Sequence, residues 1–415
     1  MNFFIKYKKK ILIITFFAIV FLLGYLLYAV FFKNSPQARV TDPTATSTTS
    51  SGLPISKDGS GQIITDPSDD GFPGTKTDTE DYVKEPDKVA NGNITKTEEL
   101  NQNRSLGITL SPDGSTLQYY NKDDGKFYHI TNDGEIETYS NKVFHNVDQV
   151  TWSPKKNKAI LEYPDGSNII YDFNQNKQIT LPKHWEDFNF SPDGSQIVLK
   201  SIGLDPNNRW LAISNDDASK VIPIESIGLN DATVYPSWSP NQQMVAMYTE
   251  GVDFNRQEVY FVGQNSENFK STIVEGRGFQ HKWAPEGDRL LYSVYSSSND
   301  YKPMLWIVNS EGENIGSGRK SLGIETWADK CIFNNNKDVY CAVPNNLEKG
   351  AGIFPELAEN TQDKIYKIDS ITGMKKLIAI PDGSYNASNL IISDDQKYLF
   401  FTDETTQRIY KIELK

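Results

Sequence analysis

Residues 110 to 120 read Leu110-Ser111-Pro112-Asp113-Gly114, then Ser115-Thr116, then the run Leu117 to Tyr120. Proline presets φ near −65° at the first corner of a turn, Asp takes the second, and Gly supplies the positive φ that follows. The Ser hydroxyl is placed to bond a backbone N–H inside the turn. The segment therefore reads as a β-hairpin, with an apolar residue entering it and a strand leaving it.

The same phrase recurs along the chain. It returns as Trp152-Ser153-Pro154, Phe190-Ser191-Pro192-Asp193-Gly194, Trp238-Ser239-Pro240-Asn241 and Trp283-Ala284-Pro285-Glu286-Gly287. Two degenerate copies follow, Cys331-Ile332-Phe333-Asn334 and Ile392-Ser393-Asp394-Asp395. The intervals are 42, 38, 48, 45, 48 and 61 residues, close to the roughly 40–45 residues of a four-stranded propeller blade. A second strand follows each motif, as at Ile160 to Tyr163, Val245 to Tyr248, Leu290 to Tyr295 and Tyr398 to Phe401. A third follows, as at Phe127 to Ile130, Trp210 to Ile213 and Leu305 to Val308, and a more polar fourth ends most repeats. The expected fold class is all-β, a seven-bladed β-propeller over residues 105–415, with six or eight blades if a degenerate copy is misread. The last repeat stops after its third strand, so its fourth is expected from the N-terminal side, around Asn93 to Leu100. That closure removes exposed sheet edges.

These Ser-Pro-Asp-Gly repeats resemble the TolB-type, WD-repeat-like propeller family. The resemblance covers about residues 105 to 415 and implies the propeller fold. The TolB family carries a separate α/β domain before its propeller, which is missing here, so none of its partners is implied.

Upstream, Ile11 to Phe32 is an uncharged run of 22 residues. As a helix it reaches roughly 33 Å, enough for a bilayer core of about 30 Å. Lys6, Lys8, Lys9 and Lys10 precede it, so the positive-inside bias leaves residues 1–10 as a cytoplasmic tail and the body outside. Tyr25 and Tyr28 fall near the outer end. A cleaved signal peptide is the alternative, but the run is longer than an h-region and no clean cleavage site follows. Residues 33–104 are rich in Thr, Ser, Pro, Gly and Asp and read as a disordered linker. Within it Asp66, Ser68, Asp70 and Gly71 match half of a calcium-loop spacing. The twelfth position is Thr77, not Glu, so plain linker is the expectation.

The net charge is −12; residues 1–33 contribute +5, leaving −17 for the rest. An acidic body repels phosphate backbones, so nucleic acid is not an expected partner. No G-x-S-x-G, H-E-x-x-H or P-loop pattern occurs, and no C-x-x-C pair. No catalytic residue, metal site or cofactor is assigned. Cys331 and Cys341 flank the sixth hairpin. They face each other, and can form a disulfide, if its turn has three residues, but not if it has two or four.

Candidate binding residues follow from loop placement. If the motif joins first and second strands, the second-to-third and blade-to-blade loops share the other face. That face gathers His145, His184, Trp185, Tyr235, Arg277, His281, Trp327 and Tyr385, with the longest insertion, Pro344 to Asp363. For the tryptophans, blade packing is the competing role. The reading is a membrane-anchored, extracytoplasmic module binding an envelope protein or glycan. The alternative is a propeller hydrolase or lyase acting on a carbohydrate in the central channel. It would need acids or histidines converging at the channel mouth. Oligomeric state is not legible.

Overall fold

The structure is a computed structural model that describes residues 19–25 and 85–415, apart from residues 115, 132, 266 and 268. Residues 19–25 are helical with exposed side chains. Among the described residues no helix is long and apolar enough to cross a membrane. Most of the expected span 11–32, the calcium-like spacing at Asp66 and residues 33–84 lie outside the described residues.

Residues 85–415 form a ring of seven sheets. Two short strands come first, β1 (Ile94–Thr95) and β2 (Thr97–Glu99). Blade I follows with β3 (Ser105–Leu110), β4 (Leu117–Asn121), β5 (Lys126–Ile130) and β6 (Ile136–Ser140). Blade II has β7 (Gln149–Trp152), β8 (Lys158–Glu162), β9 (Ile169–Asp172) and β10 (Lys177–Thr180). Blade III has β11 (Trp185–Phe190), β12 (Gln196–Ile202), β13 (Arg209–Asn215) and β14 (Ile222–Ser226). Blade IV has β15 (Val234–Pro236), β16 (Met244–Asp253), β17 (Arg256–Gly263) and β18 (Thr272–Val274). Blade V has β19 (Arg277–Trp283), β20 (Arg289–Tyr295), β21 (Pro303–Asn309) and β22 (Lys320–Ser321). Blade VI has β23 (Cys331–Phe333), β24 (Asp338–Pro344), β25 (Asp363–Asp369) and β26 (Lys375–Pro381). Blade VII has β27 (Ala387–Ile392), β28 (Tyr398–Asp403) and β29 (Ile409–Glu413).

The fourth strand of blade VII is β2, antiparallel to β29 with Thr97 opposite Ile412 and Glu99 opposite Tyr410. This is the closure expected around Asn93 to Leu100. One strand was not foreseen: β1 adds to blade VI, parallel to β26, with Ile94 opposite Ile380. The incoming chain thus staples two adjacent blades. The propeller therefore begins before residue 105, and residues 85–104 belong to the ring rather than to the expected linker.

The inner strands bury both faces, as β4 and β9 do along their length, because neighbouring blades stack on both sides, while outer strands such as β6, β10 and β14 stay largely exposed. Leu290, Tyr292 and Val294 pack with Met247, Val259 and Phe261 of blade IV. Between them, Leu291 packs with Val339, Cys331 and Cys341 of blade VI. The same alternation gives Leu117 and Tyr119 to blade VII and Tyr120 to blade II. Seven such clusters, one per blade interface, form the core.

The repeated turn explains why the motif has its residues. Gly194 sits at φ +73° and donates its N–H to the Ser191 carbonyl at 2.8 Å. Ser191 Oγ donates to Asp193 Oδ1 at 2.6 Å and accepts the Gln196 N–H at 3.0 Å. The Ser191 hydroxyl, with the Ser195 N–H and hydroxyl, holds the Asp193 carboxyl down at about 2. Copies that lack the glycine keep the geometry with a strained residue in its position: Lys156 (φ 58°), Gln242 (φ 62°) and Gln396 (φ 58°). Blade VI departs from it. Its turn pairs Asn334 with Asp338, leaving three residues at the tip. Cys331 therefore lies opposite Cys341, and a disulfide joins them.

Candidate functional site

All seven motif turns fall on one side of the ring, here the turn face. The second-to-third-strand loops and the blade-to-blade loops fall on the other, the loop face. The eight residues expected there do not converge. Trp185, 4% exposed, is packing between blades II and III. Tyr235 and His281 pack around Phe279 at the interface of blades IV and V, with ring centroids 5.9 and 5.5 Å from it. Burial brings the His281 imidazole down to about 4, so it is neutral at physiological pH. Tyr385 packs on Phe401 and Tyr410 at the interface of blades VI and VII, and burial pushes its phenol up to about 12. His145 lines a shallow depression beside Tyr163 and Asp165. His184 lines another beside Leu204. Arg277 opens β19, half-buried.

Of the eight, Trp327 lines a cavity of about 320 Å³ on this face. The insertion forms one wall. It is an ordered lobe between β24 and β25, with its own small core of Trp327, Leu347, Ala351 and Ala358. Its root is a buried ion pair. Lys330 (7% exposed) meets Asp363 (0% exposed) at 2.7 Å. Lys330 Nζ also donates to Asn386 Oδ1 at 2.6 Å, and Asp363 Oδ2 accepts the Ala387 N–H at 2.6 Å. Asp363 Oδ1 has no partner, and burial raises its carboxyl against the pull of Lys330. The pair locks lobe, blade VI and blade VII together.

The cavity walls are polar. Gln280 comes from β19, Asp329 and Lys330 from the turn before β23, Glu356 and Glu359 from the lobe, Asn386 and Ser388 from the start of β27, and Glu404 from the β28–β29 loop. Among the described residues four carboxylates line the space, and its one lysine, Lys330, is paired with Asp363. Burial raises the Asp329 carboxyl, with Lys282 and Lys330 opposing. Motif-based reading missed these residues because they come from five separate stretches of chain, strands and loops, that no motif links. The one signal present was the length of the insertion, which carries Glu356 and Glu359.

A second acidic group lies across the ring. Glu162 closes β8 opposite Gln149, near Asp148, Glu186 and Asp187. Burial, then the charge of Asp187, lift its carboxyl to about 7, while the Asp187 backbone N–H pulls the other way. Glu162 Oε1 is buried without a partner. Lys200 does not reach it, being held by Asp187 at 2.5 Å and the Asp231 carbonyl at 2.7 Å. Among the described residues no group of acids, histidines or cysteines is arranged to hold a metal ion.

No protein-family model matches the chain, and no curated protein matches it. Solved structures do. An oligogalacturonate lyase in complex with manganese is 12% identical, with a TM-score of 0.50 over 77% of this chain and 93% of that one. The β-propeller domain of Myceliophteria thermophila Cps50 (Swd1) is 11% identical, with a TM-score of 0.48 over 77% and 100%. The hydrazine synthase of Kuenenia stuttgartiensis is 12% identical, with a TM-score of 0.49 over 76% and 97%. At such identities the likeness shows the propeller fold alone. The seven-bladed propeller expected from the repeats is shown, and no family match bears on the TolB-type resemblance.

Proposed function

We propose that the chain is a membrane-anchored, extracytoplasmic binding propeller whose loop-face cavity receives a cationic group of an envelope protein. The carrying observation is the charge of the cavity: Asp329, Glu356, Glu359 and Glu404 around a space whose one lysine is engaged by Asp363. A Lys or Arg side chain entering there gains Coulomb energy in a partly desolvated site, and the acidic body steers it in. The anchor is the uncharged run Ile11 to Phe32 behind its lysine cluster.

The test uses the full chain in nanodiscs and a fluorescent oligolysine peptide. Binding should weaken with salt, and Glu356→Gln with Glu359→Gln and Glu404→Gln should weaken it at least tenfold. Unchanged binding by the triple variant rejects the cavity.

A second reading is favoured by Glu162. A partly buried carboxyl near 7 at the end of β8 suits general acid–base work on a carbohydrate. Turnover of an acidic oligosaccharide that Glu162→Gln abolishes would establish that reading instead.

A further inference from the structure

Three loops of the loop face are tied edge to edge. Asn255, at the β16–β17 tip, accepts the Ser297 N–H of the β20–β21 loop through Oδ1 at 2.9 Å. The same β20–β21 loop offers the Asp300 and Tyr301 carbonyls to the Gly350 and Gly352 N–H groups of the lobe, both at 2.8 Å. Along this arc stand Phe254, 92% exposed, and Phe354, 60% exposed, with Ile353 and Leu357 beside the latter. Ring packing asks nothing of these side chains, and the exposed Ile353, Phe354 and Leu357, set close together on the lobe with Phe254 at the neighbouring tip, form a ridge of the kind that marks an interaction surface.

The lobe joins this ridge to the cavity through a single 3-10 turn, Pro355–Ala358. Side chains three apart eclipse in such a turn. Glu356 and Glu359 line the cavity together with Pro355 and Ala358, whereas Phe354, which caps the turn, and Leu357 stay out of it and are exposed. An apolar strip and an acidic pocket are thus two sides of one element.

We propose that this turn is the centre of a docking surface for a partner-protein segment that carries an apolar side chain beside a lysine or arginine. The apolar group lies on Phe354 and Leu357, and the cation enters the cavity. This rests on the cavity reading above. A second copy of the chain is disfavoured by the net charge of −17 (−12 less the +5 of residues 1–33) on each body. An anionic lipid surface is disfavoured by Glu356 and Glu359, which would be pressed against it.

The experiment compares two fluorescent peptides, lysine alternating with leucine and lysine alternating with serine. Each is titrated into the full chain in nanodiscs, with empty nanodiscs as the blank. The leucine peptide should bind at least tenfold more tightly. The pair Phe254→Ser with Phe354→Ser should erase that preference and leave the serine peptide unchanged. The pair Glu356→Gln with Glu359→Gln should weaken both peptides and keep the preference. If the serine variants keep the tenfold preference, the ridge is overturned while the cavity stands. If the glutamine variants bind both peptides normally, the cavity reading fails separately. If the serine variants lose binding to phosphatidylcholine vesicles but not the peptide preference, the ridge is a lipid contact and the proposal falls.

Discussion

On the turn face, Ser191, Ser239 and Ser393 repeat one pattern. Each hydroxyl donates to the acid or amide two residues on and accepts the N–H five residues on. On the loop face the connections differ in length and content. Residues 122–125 make a tight turn in blade I, while residues 345–362 make a lobe with its own core in blade VI. The same strands feed both faces. The turn face carries what every blade needs to form, and the loop face carries what only some blades have. Repetition therefore marks the fold, and departure from repetition marks the places free to bind.

The comparison breaks hardest at the root of the lobe, a loop-face feature as buried as the core. Replacing Lys330 with Met leaves Asp363 enclosed with an uncompensated charge. Removing one partner of a buried pair costs about 3–5 kcal/mol. Urea unfolding of Lys330→Met should show that loss near neutral pH. It should shrink in acid, where a protonated Asp363 no longer needs its partner. A cost below about 1 kcal/mol would mean that the lobe is an ornament on the ring.

The next effect is smaller and depends on pH. The folded Glu162 carboxyl titrates near 7, against 4.5 for the ordinary group. In this interval the folded state holds the proton and the unfolded chain has released it. The contribution is therefore complete below about 4.5 and is lost as pH rises through 7. Screening of a partly exposed group reduces it to about 1–2 kcal/mol. Glu162→Gln should flatten the stability profile between pH 5 and 8 by roughly that much. An unchanged profile would remove the acidic cluster as the cause.

Most of the fold was legible because turn chemistry is local. Pro192, Asp193 and Gly194 announce their hairpin within three residues, and the spacing of seven such hairpins announces a ring. The closing strand was legible by elimination, since β29 lacked a neighbour. The staple β1 was not, because two residues parallel to β26 leave no periodicity. The site was mostly illegible for the same reason. Asp329, Glu359, Asn386 and Glu404 meet only after blades V, VI and VII have stacked. His281 and Tyr385 have the residue types of a site but the surroundings of a core, and burial decided their role.

The turn face makes its own sharper test. Gly194 has ordinary room for a methyl group, its nearest neighbour being Pro154 at 3.5 Å, so only its φ of +73° resists substitution. Gly194→Ala should cost about 1 kcal/mol, and Gln396→Gly, which relieves φ 58° in blade VII, should gain roughly half that. Thermal melts of the two variants should move in opposite directions. Movement in the same direction would show that the degenerate turn is not strained.

The smallest effect on stability is expected where the loop face is most apolar. Phe254 and Phe354 are exposed side chains on braced loops, and a surface change away from caps, cavities and charges stays within about ±0.5 kcal/mol. Phe254→Ser and Phe354→Ser should melt with the parent chain, although each deletes an aromatic ring. A melt lowered by more than that margin would return them to the ring's own packing, and the two faces would then follow one rule.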